Sequence, residues 1–427
     1  MDEESDDQDQ QQSPLHRPLL RKRPLFRNMA AFWILGLCNN FAYVVMLSAA
    51  KDILERSDTT NQTHQSTECV KNVEDLPKCS NISTGAVLLA DILPSLLVKL
   101  LAPFTLHYFP YSVRHTMVIL LQCLSFLIVA FSTGLFMGLT GVVFASIGAG
   151  LGEVSYLSLS SHFHSDTISS WSSGTGGAGI VGSLAFAVLT DHLHKVVLWR
   201  RESLWLSNRN RHAYGRLRSS SPTQSVHSPL LEAARSVENL ADDTQSQKTK
   251  LFLTVQDRFR LIQPLLKYML PLLAVYFAEY FINQGLVELL TFPCSTGFYL
   301  SVASQYRWFQ VLYQIGVFIS RSSVKFCPIR ASILPVLAVL QFVNAIVLFN
   351  DAIHPHAPHI LIIFCMVFYE GLLGGSAYVN TFNAVHKSVD HENREFSMSF
   401  VALSDSLGIV LAGFSAIMAH NFICAHR

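Results

Sequence analysis

Long apolar runs separated by short polar segments recur along most of this chain. Runs of about 18 or more apolar residues are typical of helices that cross a lipid bilayer, where each span needs about 20 residues. The pattern predicts about ten spans, at 29–50, 84–107, 115–137, 138–161, 172–198, 264–291, 305–320, 331–349, 358–384 and 397–420. The seventh is short and carries Arg307, so we expect it to tilt or to be partly re-entrant.

Composition supports the same class of protein. Hydrophobic residues make up 50% of the chain and charged residues 14%, and the mean hydropathy is +0.33. Soluble domains are about one-quarter charged, so the predicted fold class is an all-α polytopic membrane protein. Neither a nucleic-acid-binding motif nor a Cys/His metal-binding spacing is recognisable, and we expect no cofactor and no metal.

Polar segments divide the chain into two helical halves. Residues 1–28 are expected to form a disordered cytosolic tail, and 199–262, rich first in Arg and then in Ser, Gln and Asp, a disordered cytosolic linker. An N-terminal bundle then covers 29–198 and a C-terminal bundle covers 263–427. This layout is typical of a transporter built from two halves.

The hydrophilic loop 51–83 is predicted to face the lumen, because it carries two glycosylation sequons and two cysteines. Asn61 is the more accessible acceptor, since Asn81 adjoins the next span. Cys69 and Cys79 share this loop, so either a Cys69–Cys79 disulfide or two free thiols fits the sequence.

The number of spans conflicts with the charge pattern at one place. From a cytosolic N-terminus, five spans bring the chain to the lumen, yet the Arg-rich segment that follows is typical of the cytosol. The basic loops 321–330 and 386–396 agree with a cytosolic linker. The chain is therefore one crossing short between about 190 and 262.

Ionisable side chains lie inside the predicted spans, where each charge costs about 2.5–3.5 kcal/mol on insertion scales. We expect them to line a solute or proton pathway; structural pairs between helices are the alternative. The candidate residues are Asp91, Lys99, Glu153, Glu279, Asn283, Arg307, Arg321, Glu370 and Asp405. The acids outnumber the bases, which favours proton coupling or a cationic substrate. An anionic substrate would depend on Lys99, Arg307 and Arg321.

Helical spacing separates these residues further. Glu279 and Asn283 are four residues apart and share a helix face, whereas Glu288 points nearly opposite to Glu279 and is expected at the lumenal interface. Asp91 and Lys99 lie on one polar stripe about 12 Å apart along the helix axis. Each of these two therefore needs a partner on another helix, or a ligand.

Glycine-rich runs accompany the acids around Glu153 and Glu370 and recur at 171–183. Small residues let membrane helices approach closely, so packing is the main interpretation. The run WSSGTGGAGIVGS superficially resembles a dinucleotide-binding fingerprint. It has no preceding strand, so a packing seam is the better prediction.

Several stretches resemble the battenin family of lysosomal membrane proteins, among them LGLCNNFAYVVMLSAAKDIL, AVLLADILPSLLVKLLAP, WSSGTGGAG, VYFAEYFINQGL and YEGLLGGSAYVNTF. They occur in both halves and in the expected order. The resemblance implies a major-facilitator-like or equilibrative-nucleoside-transporter-like fold with a location in lysosomes and late endosomes. It also implies a role in clearing glycerophosphodiesters, with proposed links to lysosomal pH and basic amino acids.

The chain departs from the family pattern in two places. The family has eleven spans, and here the sixth is replaced by HLHKVVLWRRESLWLSNRN. The family's C-terminal prenylation cysteine corresponds to Cys424-Ala-His-Arg, whose charged last residue fits prenylation poorly. In the linker, Leu230 and Leu231 resemble a dileucine sorting signal.

These features favour a transporter of small polar metabolites that works by alternating access, with protons, membrane lipid and trafficking adaptors as further partners. The alternative is a non-transporting membrane scaffold for endosome–lysosome trafficking. An intramembrane enzyme is the least favoured class, because no HExxH, GxSxG or Ser/His/Asp arrangement is recognisable.

Overall fold

The structure is a computed structural model, and it describes residues 17–51, 69–71, 79, 83–131, 135–207 and 262–426. All regular structure in these ranges is helical. The ten long helices are α1 (Arg17–Ser48), α2 (Gly85–Thr105), α3 (Tyr111–Ala130), α4 (Leu135–Ser160), α5 (Asp166–Ser207), α6 (Leu266–Phe281), α7 (Val302–Ser322), α8 (Leu334–Ile353), α9 (Ile360–Ser388) and α10 (His391–His426).

Nine helices within the described ranges are long and apolar enough to cross a membrane. The tenth, α7, is polar, and its Gln305, Arg307 and Gln310 are buried against other helices. Its 21 residues span about 32 Å, which matches the hydrocarbon thickness of a bilayer. The prediction that this span is short and partly re-entrant was therefore wrong, because its polar residues face protein instead of ending the helix. The alternative, that it tilts, stays a prediction.

Two helix boundaries differ from the predictions. α1 begins at Arg17, so residues 17–28 are helical, and the prediction of a disordered tail was wrong for them. Helix propagation from an anchored apolar segment adds one hydrogen bond per residue, which explains the extension. α6 continues as a π-helix over Ile282–Leu286 and then ends. Glu288 consequently lies in a turn.

Helices of each half pack mainly against one another, and the halves meet along α5–α7, α2–α10 and α4–α10. Glycines permit these contacts. Gly174 of α5 lies against the Trp33 carbonyl of α1, and a Cβ at Gly176 would lie 2.9 Å from Cα of Phe318 in α7. The interpretation of 171–183 as a packing seam is confirmed.

Two disulfides join the first loop to the second half. Cys69 bonds to Cys294 and Cys79 to Cys424, with Cα–Cα distances of 5.3 and 5.9 Å. Both sequence alternatives, a Cys69–Cys79 bridge and two free thiols, were wrong, because tertiary packing brings each loop cysteine to a distant partner. Disulfides persist in oxidising compartments, which agrees with the lumenal placement of this end of the bundle. We call it the disulfide end.

Prenylation of Cys424 is also contradicted, because its sulfur is in the disulfide with Cys79. The other modification and sorting predictions concern Asn61, Asn81, Leu230 and Leu231. These four residues lie outside the described ranges, and the predictions stay as they were.

The mismatch in the number of crossings is present in the described helices. α5 and α6 both begin at the end opposite the disulfides, where Lys325 Nζ lies 3.1 Å from Asp166 Oδ2 and the Tyr268 and Ser388 hydroxyls are 3.0 Å apart. Ser207 and Ile262 therefore lie toward opposite ends of the bundle. The prediction of a disordered cytosolic linker over 199–262 was wrong for residues 199–207, which continue α5 because each residue added to an existing helix gains a hydrogen bond. Residues 208–261 of the predicted linker lie outside the described ranges.

Candidate functional site

Lys99 of α2 is the centre of an ionic cluster inside the bundle. Its Nζ lies 2.6 Å from Glu153 Oε2 of α4 and 3.1 Å from Asp405 Oδ1 of α10. The Lys99 side chain is only 3% exposed. The expectation that Lys99 needs a partner on another helix is confirmed, and the partners come from both halves of the chain.

Tyr378 of α9 connects this ion cluster to a second buried cation. Its hydroxyl donates to Glu153 Oε1 at 3.1 Å, and Trp171 Nε1 donates to that hydroxyl at 3.4 Å. This second cation is Arg321, whose guanidinium carbon lies 4.2 Å from the centre of the Tyr378 ring. Such cation–π contacts are strongest where water is excluded. Lys99, Glu153, Asp405, Tyr378 and Arg321 are called the central cluster below.

Arg321, at the end of α7, is held by hydroxyl groups. It donates to Thr175 Oγ1 of α5 at 2.6 Å and to the Tyr276 hydroxyl of α6 at 3.0 Å. Tyr276 in turn stacks on Tyr280, with ring centres 6.0 Å apart, and the Tyr280 hydroxyl lies 3.1 Å from that of Tyr43 in α1. Arg321 therefore contacts helices of both halves.

A second polar group lies within the C-terminal half. Glu279 accepts a short hydrogen bond from Tyr313, and Glu370 accepts one from Asn283 Nδ2 at 2.6 Å. Gln310 Nε2 donates to Asn283 Oδ1 at 3.3 Å. Glu279 and Asn283 thus both face α7 and α9, so the prediction of a shared helix face is confirmed. One oxygen of each carboxylate has no hydrogen-bond partner.

Glu288 contacts other elements than Glu279 does, although it lies in a turn after the π-helix and not on the continuous α-helix that the prediction assumed. Its carboxylate accepts from Ser83 Oγ at 2.8 Å and from the Thr84 backbone N–H at 3.0 Å, and His420 Nδ1 lies 3.0 Å away. Its side chain is 3% exposed. The expectation that Glu288 reaches the lumenal interface was wrong, because α10 and the start of α2 cover it.

The remaining predicted site residues are not part of the central cluster. Asp91 is fully buried, and neither of its carboxylate oxygens has a hydrogen-bond partner. Arg307 lies near the start of α7, and its guanidinium carbon is 5.9 Å from the Phe186 ring centre. Asp91 is therefore a candidate proton-binding group. Arg307 of α7 packs against Phe186 of α5.

Glu395 joins helices of both halves at the end opposite the disulfides. It accepts from the Tyr111 hydroxyl at 2.7 Å, with His162 Nε2 at 3.7 Å and Arg114 Nη1 at 3.9 Å. The Glu395 side chain is 41% exposed, and exposed ion pairs are individually weak. Glu395 of α10 therefore contacts α3 and the turn that follows α4 through a partly exposed polar group.

Sequence reasoning missed the hydroxyl and ring groups of the site. Thr175, Tyr276 and Tyr378 hold Arg321, Tyr313 holds Glu279, and His420 pairs with Glu288. Tyrosine and threonine are common in membrane helices, so their presence alone gives no signal. The spacing of Tyr276 and Tyr280 on the helix of Glu279 is the one cue that could have identified an aromatic face.

Comparisons with known proteins agree with the resemblance found in the sequence. Residues 30–426 match the profile of the family described as "CLN3 protein". The dog protein named battenin is 42% identical over 435 residues, covering 98% of this chain and 97% of its own. Protein BTN1 of Yarrowia lipolytica is 38% identical over 415 residues, covering 93% and 95%.

Two solved structures share the fold at low sequence identity. The human organic anion transporter MFSD10 superposes with a TM-score of 0.51 at 15% identity, covering 94% of each chain. A bacterial homologue of the human lysosomal transporter Spinster, inward-facing and unoccupied, gives 0.51 at 14% identity, covering 94% of this chain and 82% of its own. The predicted all-α, major-facilitator-like fold is confirmed.

Proposed function

We propose, because this chain belongs to the CLN3 protein family, that it carries small polar metabolites across the lysosomal and late endosomal membrane. The resemblance to the battenin family is thereby confirmed, and a transporter-like, multi-pass membrane protein follows from family and fold. Glycerophosphodiesters are the proposed substrates, as the family resemblance implies. Export from the lysosome is the proposed direction.

One observation carries this proposal: the Lys99–Glu153–Asp405 contacts join α2, α4 and α10 across the two halves. Buried charges are costly, and inside membrane proteins they mark substrate or ion pathways. In alternating access the halves rock about a central site. A mixed ionic cluster that both halves contribute to is positioned to bind a polar solute and to change its contacts as the halves move.

Proton coupling is proposed from the carboxylates outside the central cluster. Asp91, Glu279 and Glu370 each have a buried oxygen with no hydrogen-bond partner. Burial in a low-dielectric interior disfavours the charged form of a carboxyl group, so such groups are suited to taking up and releasing protons. An acidic lumen would supply those protons.

The test is uptake of radiolabelled glycerophosphocholine into proteoliposomes that contain the full chain, with and without a pH gradient. Lys99→Met leaves two buried carboxylates facing each other, so we expect the initial rate to fall at least tenfold. Glu153→Gln is expected to reduce the rate as well, because it removes the closest partner of Lys99.

The matched control is Lys325→Gln, which removes a cation from a partly exposed ion pair with Asp166. Its rate should stay within twofold of the wild type, because exposed pairs contribute little. Folded wild-type protein that gives no solute flux would contradict transport and favour the scaffold alternative. Flux that survives each of Lys99→Met, Glu153→Gln and Glu279→Gln, made one at a time, would contradict the site assignment.

A further inference from the structure

The two buried cations of the central cluster have different surroundings. Lys99 lies within ion-pair distance of two carboxylates, Glu153 and Asp405. Arg321 is 9% exposed, and its contacts within the described part of the chain are to hydroxyl groups and an aromatic ring, with no carboxylate in an ion pair. Lys99 thus has two acids as direct partners. The groups in direct contact with Arg321 are two hydroxyls and a ring, and the Glu279 carboxylate acts on its charge only from beyond ion-pair distance.

A buried charge without a counter-charge is expensive to hold. Arg321 carries five N–H donors in a planar fork, and its Nε–H has no hydrogen-bond partner. Its two hydroxyl partners, Thr175 and Tyr276, belong to different halves of the bundle. A guanidinium fork with a free donor, placed where the halves meet, is the geometry that recognises an anion with two equivalent oxygens.

A glycine of α9 packs directly against the stem of Arg321. A Cβ at Gly375 would lie 3.2 Å from Arg321 Cγ and would meet the Ser320 hydroxyl. The glycine allows α9 to approach α7 closely, and this places the Tyr378 ring against the guanidinium. The same tyrosine donates to Glu153, so a cationic and an acidic pole lie on either side of one side chain.

We propose that Arg321, with the hydroxyls of Thr175 and Tyr276, binds the phosphodiester group of the transported solute. This inference rests on the proposed function and adds the subsite to it. A phosphodiester carries a single negative charge on two equivalent oxygens, which one guanidinium satisfies. A phosphomonoester dianion fits less well, because Lys99 nearby already has two carboxylate partners, Glu153 and Asp405, so that this group has one more acid than base.

The second pole accounts for the rest of the solute. Glu153 and Asp405 offer carboxylates, and Tyr378 offers a hydroxyl, on the side away from Arg321. A cationic head group attached to the phosphodiester would lie toward these acids. The site is therefore built for a zwitterionic phosphodiester, with the phosphate on α7 and the cation toward α2, α4 and α10.

The experiment measures binding of radiolabelled glycerophosphocholine to the full chain in lipid nanodiscs, separately from flux. Arg321→Gln should weaken binding at least tenfold, because it removes a charge-assisted bidentate contact. Arg321→Lys should retain part of the affinity, since charge remains but the fork is lost. Tyr276→Phe should lose several-fold while keeping the stacked ring. Lys325→Gln is the control that removes a cation elsewhere and should bind like the wild type.

Competing ligands identify the recognised group. Unlabelled glycerophosphoethanolamine should displace the probe, whereas glycerol 3-phosphate, lactate and a mixture of choline and glycerol should not. Displacement by lactate as effective as by the phosphodiester would overturn the phosphodiester assignment. Displacement by choline with glycerol would show that the anion is not what the site recognises, and would overturn it too.

The outcomes separate this inference from the proposed function. If the wild type transports and binds the phosphodiester but Arg321→Gln binds within twofold of it, the inference fails and the transporter stands. If the folded wild type neither binds nor transports, the proposed function fails first. Thermal unfolding of each ligand-free variant separates loss of binding from loss of folding. If Arg321→Gln does not fold, the binding affinity of Tyr276→Phe tests the inference instead.

Discussion

Gly374 and Glu279 illustrate, at the scale of single residues, how the interior is fitted around its carboxylates. A Cβ at Gly374 of α9 would meet both carboxylate oxygens of Glu279. The glycine thus leaves room for the acid that Tyr313 holds. Because the clash involves the flexible end of a side chain, an added methyl group should displace the carboxylate without rearranging the backbone.

Gly374→Ala is therefore expected to break the Tyr313–Glu279 hydrogen bond and to lower stability by about 1.5–3 kcal/mol, the usual contribution of a hydrogen bond to a charged group. Thermal unfolding of the detergent-solubilised protein checks this. Ser376→Ala, two residues away on the same helix, should change stability little. Tyr313→Phe combined with Gly374→Ala should be no worse than the single glycine substitution; additive losses would contradict the displacement.

At the scale of elements, the loop between α1 and α2 is fastened to the second half at two points. Cys69 is bonded to Cys294, whose backbone N–H also donates to the Val70 carbonyl at 2.8 Å. Cys79 is bonded to Cys424 at the end of α10. The loop therefore links the halves covalently at the disulfide end, independently of the linker that joins them in sequence.

Cutting the chain tests this pairing directly. A specific protease site inserted between residues 219 and 250 should give two fragments that migrate together on a non-reducing gel and separate after reduction. A Cys69–Cys79 bridge would instead let them separate without reductant. The double variant Cys294→Ser and Cys424→Ser is the control, and its fragments should separate under both conditions.

At the scale of the whole molecule, the described helices do not alternate regularly between the two ends of the bundle. Five helices lead from the opposite end to the disulfide end, and α6 begins at the opposite end again. The charge pattern places residues 199–262 in the cytosol, whereas α5 continues to Ser207 toward the disulfide end. The two indications differ at the end of α5, so an experiment there distinguishes them.

Single cysteines make that experiment possible in a background where the free residues Cys38, Cys123, Cys327 and Cys365 are replaced by serine. We expect Gln263→Cys to react with a membrane-impermeant maleimide from the cytosolic side and Ser207→Cys from the lumenal side. Reaction of both from the cytosol would show that α5 does not cross as a continuous helix. Ser388→Cys, at the end of α9 and beside Tyr268 of α6, is the cytosolic control.

Much of the architecture was predictable because hydrophobic length is a local property of the sequence. Ten long helices were predicted and ten are described, and the glycine run at 171–183 was recognised as a packing seam. Lys99 was predicted to need a partner on another helix, or a ligand, because an unpaired charge at that depth is costly. Helical periodicity predicted opposite directions for Glu279 and Glu288, and the two do contact different helices, although the α-helix ends before Glu288.

The partners themselves were decided by the tertiary structure. Lys99 meets Asp405 across more than three hundred residues of chain, and Cys79 meets Cys424, contacts that no local pattern encodes. The role of Tyr378 depends on a close approach of α9 to α7. The sequence by itself determined that the chain spans a membrane with charges inside, because hydrophobic length and charge are local properties. Only the packing of helices decided which charges pair with one another and which cation is held by hydroxyls and a ring, because that depends on distances between helices far apart in the chain.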